Sequence, residues 1–213
     1  MVGPSEKWLP FGLSHVSCGQ GTRTGSLHFF CYPNAAEEAF RVMVRNICIV
    51  MTLALALAVV GFAAEMPQVG QQAPAVALPS QGGAVVDLKS FHGKWVVLYF
   101  YPKDMTSGCT IEAHNFQQDL PKYQEHNAVI VGVSVDNADS HQQFCTKEGL
   151  TFRLLADTDK KVVDLYGSLG PSGMATRNTF LIDPNGKIAQ VWTKVSPGKH
   201  SEEVLAALAE KQK

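Results

Sequence analysis

The chain has 213 residues and five cysteines, no two of them spaced as C-x-x-C. That absence removes the usual dithiol exchange motif and the zinc-knuckle motif, and five cysteines are too few for a disulfide-stapled framework. Neither charge sign is in excess: 18 Lys and Arg stand against 19 Asp and Glu, a formal charge of -1. No long-range attraction to nucleic acid or anionic lipid follows from such a balance. Internal repeats and low-complexity tracts are missing too, which excludes solenoid and fibrous architectures. What remains, 46% hydrophobic and 17% charged positions, is the composition of a globular protein.

One apolar run stands out. Residues 47–64 read ICIVMTLALALAVVGFAA, with Arg41 and Arg45 before them and Glu65 after. Residues 43–46 form a short positive n-region, the run forms an h-region, and Gly61 and Ala63 place small residues where a signal peptidase cuts, near 63–65. Residues 43–64 are therefore read as a signal peptide. Eighteen apolar residues also approach the roughly 20 of a transmembrane helix, so an uncleaved anchor over 47–64 is the alternative, and a buried segment a third. Residues 1–42 show neither alternation nor helical periodicity. They are read as an upstream extension ahead of a start at Met43, or as a poorly ordered segment. The expected product is exported, to the periplasm in a Gram-negative cell, with no stable membrane contact once the signal is cut. Residues 65–213 are the folded domain, carrying 14 basic and 16 acidic side chains and burying roughly two thirds of its unfolded surface. Only Cys109 and Cys145 fall in it; Cys18, Cys31 and Cys48 leave with the leader.

Within the domain, Ala75–Leu78 and Ala84–Leu88 flank PSQGG and read as a hairpin. Lys94–Tyr101, KWVVLYFY, is nearly continuous in aromatic and β-branched residues, as a central strand buried on both faces would be. A helix is expected over Thr110–Leu120 and on to His126, with Pro121 marking a kink or break. Ala128–Val135 is a second apolar strand, and Ser140–Gly149 a short helix with Phe144 inward. A strand at Phe152–Leu155 and a helix at Lys160–Tyr166 follow. Thr179–Ile182 joins Ile188–Trp192 through Asp183-Pro184-Asn185-Gly186, a hairpin turn, and Ser201 caps a last helix reaching Lys211. This order implies an α/β fold, a mixed central sheet flanked by helices, with an N-terminal hairpin. Several small three-layer folds satisfy it.

In open α/β sheets ligands bind beyond the carboxyl ends of the strands, and KWVVLYFY runs there into PKDMTSGCT. Cys109 falls at the strand-to-helix junction, with Gly108 just before the helix and Thr110 just inside. Its sulfur is expected to be reachable and to face unpaired backbone N–H groups, whose field favours thiolate; the alternative is a small buried hydrophobe. Thr106 offers a hydroxyl to the same pocket, or else caps the helix. Arg177, just before the strand Thr179–Ile182, can extend its guanidinium to the cysteine; Arg153 is the other arginine of the domain. Pro102 shapes the bend and shields the sulfur, or merely ends the strand.

Pro102-x-x-x-Thr106-x-x-Cys109, set in YFYPKDMTSGCTIEAHNF, together with Arg177 in RNTFLIDPNGKI, resembles the peroxiredoxins, and the surrounding words resemble their bacterioferritin-comigratory or Q-type subfamily, from about Val69 to Ala209. The resemblance implies a thioredoxin-like fold, hydrogen peroxide or an organic hydroperoxide as substrate, and Cys109 as the peroxidatic cysteine. It further implies that Thr106 and Arg177 bind peroxide oxygens, and that neither metal nor organic cofactor takes part. Glu112 matches the family's C-T-x-E word and steadies Arg177, or is a solvated carboxylate of the first helical turns. The implied partners are peroxide and a thioredoxin-like or other dithiol reductant, with no nucleic acid and the chain a monomer or weak dimer.

Two positions depart from the family pattern. Many members resolve the sulfenic acid with a cysteine five places further on, where this chain has His114, and Ser107 replaces the common proline before Gly-Cys. Cys145, in SHQQFCTKEGL, resembles the alternative resolving position of other members. A disulfide needs Cα atoms within about 7 Å, so local unwinding is expected. The alternatives are a one-cysteine enzyme with an external resolving thiol, and a Cys145 that is simply buried. His114 is read as a surface or partly buried helix residue; Lys103, Asp104 and His141 are minor candidates for binding or tuning. After export, cytoplasmic thioredoxin, the donor the resemblance implies, could not reach the enzyme directly, and a membrane-relayed thiol donor is the hypothesis. An exported thiol-disulfide exchange protein, or a metal-binding protein using Cys109, Cys145 and His114 or His141, are the competing functions.

Overall fold

The computed structural model describes residues 38–47 and 65–213. The chain divides into two units, Met1–Gly61 and Phe62–Lys213. In the first, 38–47 is an exposed helical stretch; no helix among the described residues is long and apolar enough to cross a membrane. The expected upstream extension and signal run fall mostly on residues 1–37 and 48–64, outside the described residues.

The second unit opens with a two-stranded antiparallel hairpin, β1 (Ala77–Pro79) and β2 (Val85–Asp87), followed by a 3-10 turn at Leu88–Phe91. Then come β3 (Trp95–Phe100), α1 (Ser107–Glu125), β4 (Ala128–Ser134), α2 (Ala138–Glu148), β5 (Arg153–Ala156) and α3 (Lys161–Leu165), and last β6 (Thr179–Ile182), β7 (Ile188–Trp192) and α4 (His200–Lys211). The main sheet has the order β5-β4-β3-β6-β7. Strands β3, β4 and β5 run parallel, whereas β6 and β7 pair antiparallel. The mixed α/β sheet expected from the sequence is present.

β3 is central because its two faces are both apolar. Val97 and Tyr99, with Tyr101 just beyond the strand, pack with Ala113 and Phe116 of α1, Phe144 of α2 and Val204 and Leu208 of α4. Val96, Leu98 and Phe100 point the other way, toward Val163, Tyr166 and Phe180, with Leu78 and Val86 of the hairpin against them. This alternation follows from the two-residue period of a strand.

Three helix starts differ from the sequence expectation. α1 begins at Ser107 rather than Thr110, so Gly108 and Cys109 lie inside its first turn, and it passes through Pro121 without ending. α2 begins at Ala138, where the Asn137 side chain accepts from the Ser140 N–H and caps the helix. α4 begins at His200, and the Ser201 hydroxyl, instead of capping, donates to Asp119 of α1 at 2.8 Å. The Asp183–Gly186 turn is as expected, with Gly186 at φ +81° and its N–H donating to the Asp183 carbonyl.

Gly132 on β4 sits opposite Tyr99, and a Cβ there would lie 2.7 Å from Leu154 Cδ2 and 2.8 Å from Tyr99 Oη. Gly132→Ala is expected to destabilise the domain by about 1–3 kcal/mol through overpacking. Urea unfolding measures it; an unchanged midpoint would contradict this packing.

Candidate active site

Strand β3 delivers the chain through Tyr101 and the half-buried Pro102 to a short loop that ends at Thr106, from which α1 starts. Thr106 gives no side-chain cap; its hydroxyl donates back to the Lys103 carbonyl at 3.0 Å. The first intrahelical bond is Thr110 N–H to Thr106 O, at 2.9 Å. The N–H groups of Ser107, Gly108 and Cys109 therefore have no intrahelical partner, and the positive end of the helix is concentrated there.

The Cys109 sulfur meets a cation. Arg177 Nη2 donates to Sγ at 3.2 Å while Nη1 donates to Glu112 Oε2 at 2.5 Å. Gly108 allows this approach, since a Cβ there would lie 2.8 Å from Arg177 Nη2. A guanidinium donating to the sulfur, at the positive end of a helix, favours negative charge there and on any oxygen bound beside it. One expectation needs correction: Cys109 is only 2% exposed. Because α1 starts earlier than its periodicity suggests, the cysteine falls on the inward side of the first turn with Ala113 and Phe116, and Arg177 forms its outer wall. A cleft of about 350 Å³ lies beyond that wall, lined by Pro102, Met174, Thr176, Arg177, Lys194 and Val195.

Glu112 is 1% exposed. Burial pushes its carboxyl up to about 7 although Arg177 pulls in the opposite direction, and its Oε1 has no partner. Cys145, on the inner side of α2, is 6% exposed and a free thiol, as is Cys109. Burial, with help from Asp104, pushes the Cys145 thiol up to about 11.

A second polar cluster ties the loop to α2. Asp104 accepts from Tyr101 Oη and Ser140 Oγ, both at 2.7 Å, and pairs with His141 Nδ1 at 2.8 Å. Its own N–H donates to Asp136. Burial works to raise the Asp104 carboxyl, but the hydrogen bonds from His141, Ser140 and Tyr101 prevail and hold it below its ordinary value.

Residues 69–191 match the model of the AhpC/TSA family. Peroxiredoxin Bcp of Bacillus subtilis is 40% identical over 148 residues, 66% of this chain and 94% of that protein. Among solved structures, a PrxQ variant from Xylella fastidiosa superposes with a TM-score of 0.67 at 32% identity, covering 70% of this chain and 99% of the other. The Xanthomonas campestris bacterioferritin comigratory protein, determined in a study of its alkyl peroxide reduction activity, gives 0.65 at 35% identity, covering 68% and 100%.

This chain is a peroxiredoxin of the AhpC/TSA family. The fold of the peroxiredoxin brings Cys109, Arg177 and Glu112 into direct contact, with Pro102 on the cleft wall next to Arg177. Thr106 lies at the helix entrance with its hydroxyl committed to Lys103. Cys145 shares the core with Cys109 from a different helix. His114 is an exposed helix residue paired with Glu148 at 3.0 Å, and Lys103 and Ser107 are exposed. No group of three or more His, Cys, Asp or Glu among the described residues could hold a metal ion. Sequence reasoning missed Tyr99, whose buried hydroxyl has no partner, and did not connect Asp104 with His141. The signal for Tyr99 was available, since it lies two residues before Tyr101 and so on the same strand face.

Two outcomes are expected of the site. Gly108→Ala improves intrinsic helix propensity by up to about 1 kcal/mol but displaces Arg177, so its second-order rate with hydrogen peroxide should fall about tenfold without loss of stability. Stopped-flow kinetics that show no change would remove Arg177 from the reaction. For Glu112, the folded carboxyl ionises near 7 and the ordinary value is 4.5, so the stability it contributes is present below pH 4.5 and is lost as pH rises through 7. His200, pushed down to about 4 by burial, acts oppositely, and the comparison with Glu112→Gln cancels it. The wild-type advantage over Glu112→Gln should shrink between about pH 4.5 and 7 in urea titrations; a constant difference would contradict the assignment.

Proposed function

We propose that this peroxiredoxin reduces hydrogen peroxide and organic hydroperoxides through a sulfenic acid on Cys109, closes a disulfide with Cys145, and is recycled by an external dithiol protein. The observation that carries the reading is the Arg177 guanidinium held between the Cys109 sulfur and the Glu112 carboxylate. The Cys109 thiolate attacks the terminal peroxide oxygen; the S–O bond forms as the O–O bond breaks. The departing alkoxide or hydroxide takes a proton and leaves as alcohol or water. Arg177, Thr106 after rotation of its hydroxyl, and the free N–H groups of the first turn stabilise the charge on that oxygen. Glu112 holds Arg177 in place. The low exposure of Cys109 favours a small or narrow oxidant, and the alkyl peroxide activity of the Xanthomonas relative supports the hydroperoxide class.

In the second step the Cys145 sulfur bonds to Cys109, and the sulfenic oxygen leaves as water. Cys145 is buried on an intact helix, and the Asp104–His141 cluster holds that helix against the loop. Closure therefore requires α2 or the start of α1 to loosen. The reductant is a thioredoxin-like or comparable dithiol. Export follows from the basic and apolar pattern of residues 41–64, with the periplasm as the destination and retention through 47–64 as the alternative.

Intact-mass measurement of the expressed, peroxide-treated protein tests this proposal. A deficit of about two daltons restored by dithiothreitol is expected, absent in Cys145→Ser. Cys109→Ser should abolish peroxide consumption. Undiminished turnover in Cys109→Ser would overturn the assignment.

A further inference from the structure

The hydroxyl of Tyr99 is enclosed and has no hydrogen-bond partner, in a residue 1% exposed. A buried hydroxyl left unpaired costs about 1–3 kcal/mol. Phenylalanine would keep the same ring contacts, with Phe116 at 4.9 Å, Tyr101 at 5.5 Å and Phe152 at 6.2 Å between centroids. The fold nevertheless makes room for the oxygen, because Gly132 omits the side chain whose Cβ would lie 2.8 Å from it. The ring belongs to the core that contains both Cys109 of α1 and Cys145 of α2. Burial, followed by the nearby Glu112 and the two cysteines, raises the phenol well above its ordinary range, so it keeps its proton and is a donor. The side-chain donors Arg177 and Thr106 are engaged, the first with Glu112 and Cys109 and the second with the Lys103 carbonyl. Among the unpartnered buried side-chain atoms of the described residues, Tyr99 Oη is the only hydroxyl.

We propose that Tyr99 is a catalytic residue of disulfide closure, its hydroxyl donating to the oxygen of the Cys109 sulfenic acid as Cys145 attacks. This rests on Cys145 being the resolving cysteine. The Cys145 sulfur loses its proton and bonds to the Cys109 sulfur, while the S–O bond breaks and its electron pair goes with the oxygen. That oxygen already carries one proton, receives a second through Tyr99, and leaves as water; Tyr99 is reprotonated by the proton released from Cys145. The Cys145 sulfur is oxidised and the Cys109 sulfur reduced, with no oxidant beyond the peroxide of the first step. The unpaired state in the reduced enzyme is then the resting state of a donor whose acceptor exists only after oxidation.

Tyr99→Phe of the full chain separates this role from a passive one. The protein is mixed with one equivalent of hydrogen peroxide, quenched at intervals with a thiol-blocking reagent, and weighed intact, with dimedone trapping the sulfenic acid. The ratio of closure rate to sulfenic acid formation rate should fall at least tenfold, a loss of about 1.4 kcal/mol or more in relative barrier. Sulfenic acid should accumulate, and the sulfinic fraction at excess peroxide should rise. Closure at the wild-type ratio or faster in Tyr99→Phe, while Cys145→Ser abolishes closure, would overturn the role of Tyr99 alone. Turnover and disulfide formation that persist in Cys145→Ser would overturn it together with the resolving role of Cys145.

Discussion

A single guanidinium joins two parts of the chain that are 68 residues apart. Arg177, on the loop that leads into β6, donates to the Cys109 sulfur and the Glu112 carboxylate on the first two turns of α1. Much of the surrounding structure makes that contact possible. The antiparallel pairing of β6 with β3 brings the loop alongside the helix start, and Gly108 leaves the space that the guanidinium fills. Thr106 leaves the first N–H groups uncapped, so the helix adds its own positive field to that of the arginine. Two sources of positive charge thus converge on one sulfur, and in the proposed reaction both serve the oxygen that departs from it.

The same economy of polar groups marks the core between the sheet and the helices α1 and α2. Such interiors ordinarily pair their polar atoms. Here Glu112 Oε1, His141 Nε2 and Tyr99 Oη are left unpaired, while Asp104, His141, Ser140 and Tyr101 form a tightly bonded cluster at the junction of loop and helix. A helix held by that cluster presents Cys145 in a protonated, buried form. The proposed closure must loosen α2, and with it this cluster, or the start of α1.

The strands were legible in the sequence because central strands need unbroken apolar runs, as in β3 and β4, and because Asp183-Pro184-Asn185-Gly186 encodes its turn through local backbone preferences. Helix starts were less so. Ser107 and Ala138 begin helices ahead of the apolar periodicity, where Asn137 capping and packing determine the boundary. That shift of a few residues moved Cys109 from an open junction to the inner side of a turn. Buried polar contacts such as Ser201 with Asp119, or His141 with Asp104, join residues far apart in the chain and leave no local pattern.

From the sequence alone came the order of elements, the strand-to-helix junction that carries Cys109, and the family, since these depend on local periodicity and short words of adjacent residues. The tertiary structure alone decided that Arg177 reaches the sulfur, that the sulfur lies behind it rather than open to solvent, and that the Tyr99 hydroxyl is buried unpaired in the core that holds both cysteines. Those features arise from which strands pair and which helix faces turn inward, and a one-dimensional pattern contains no distances between residues brought together only by folding.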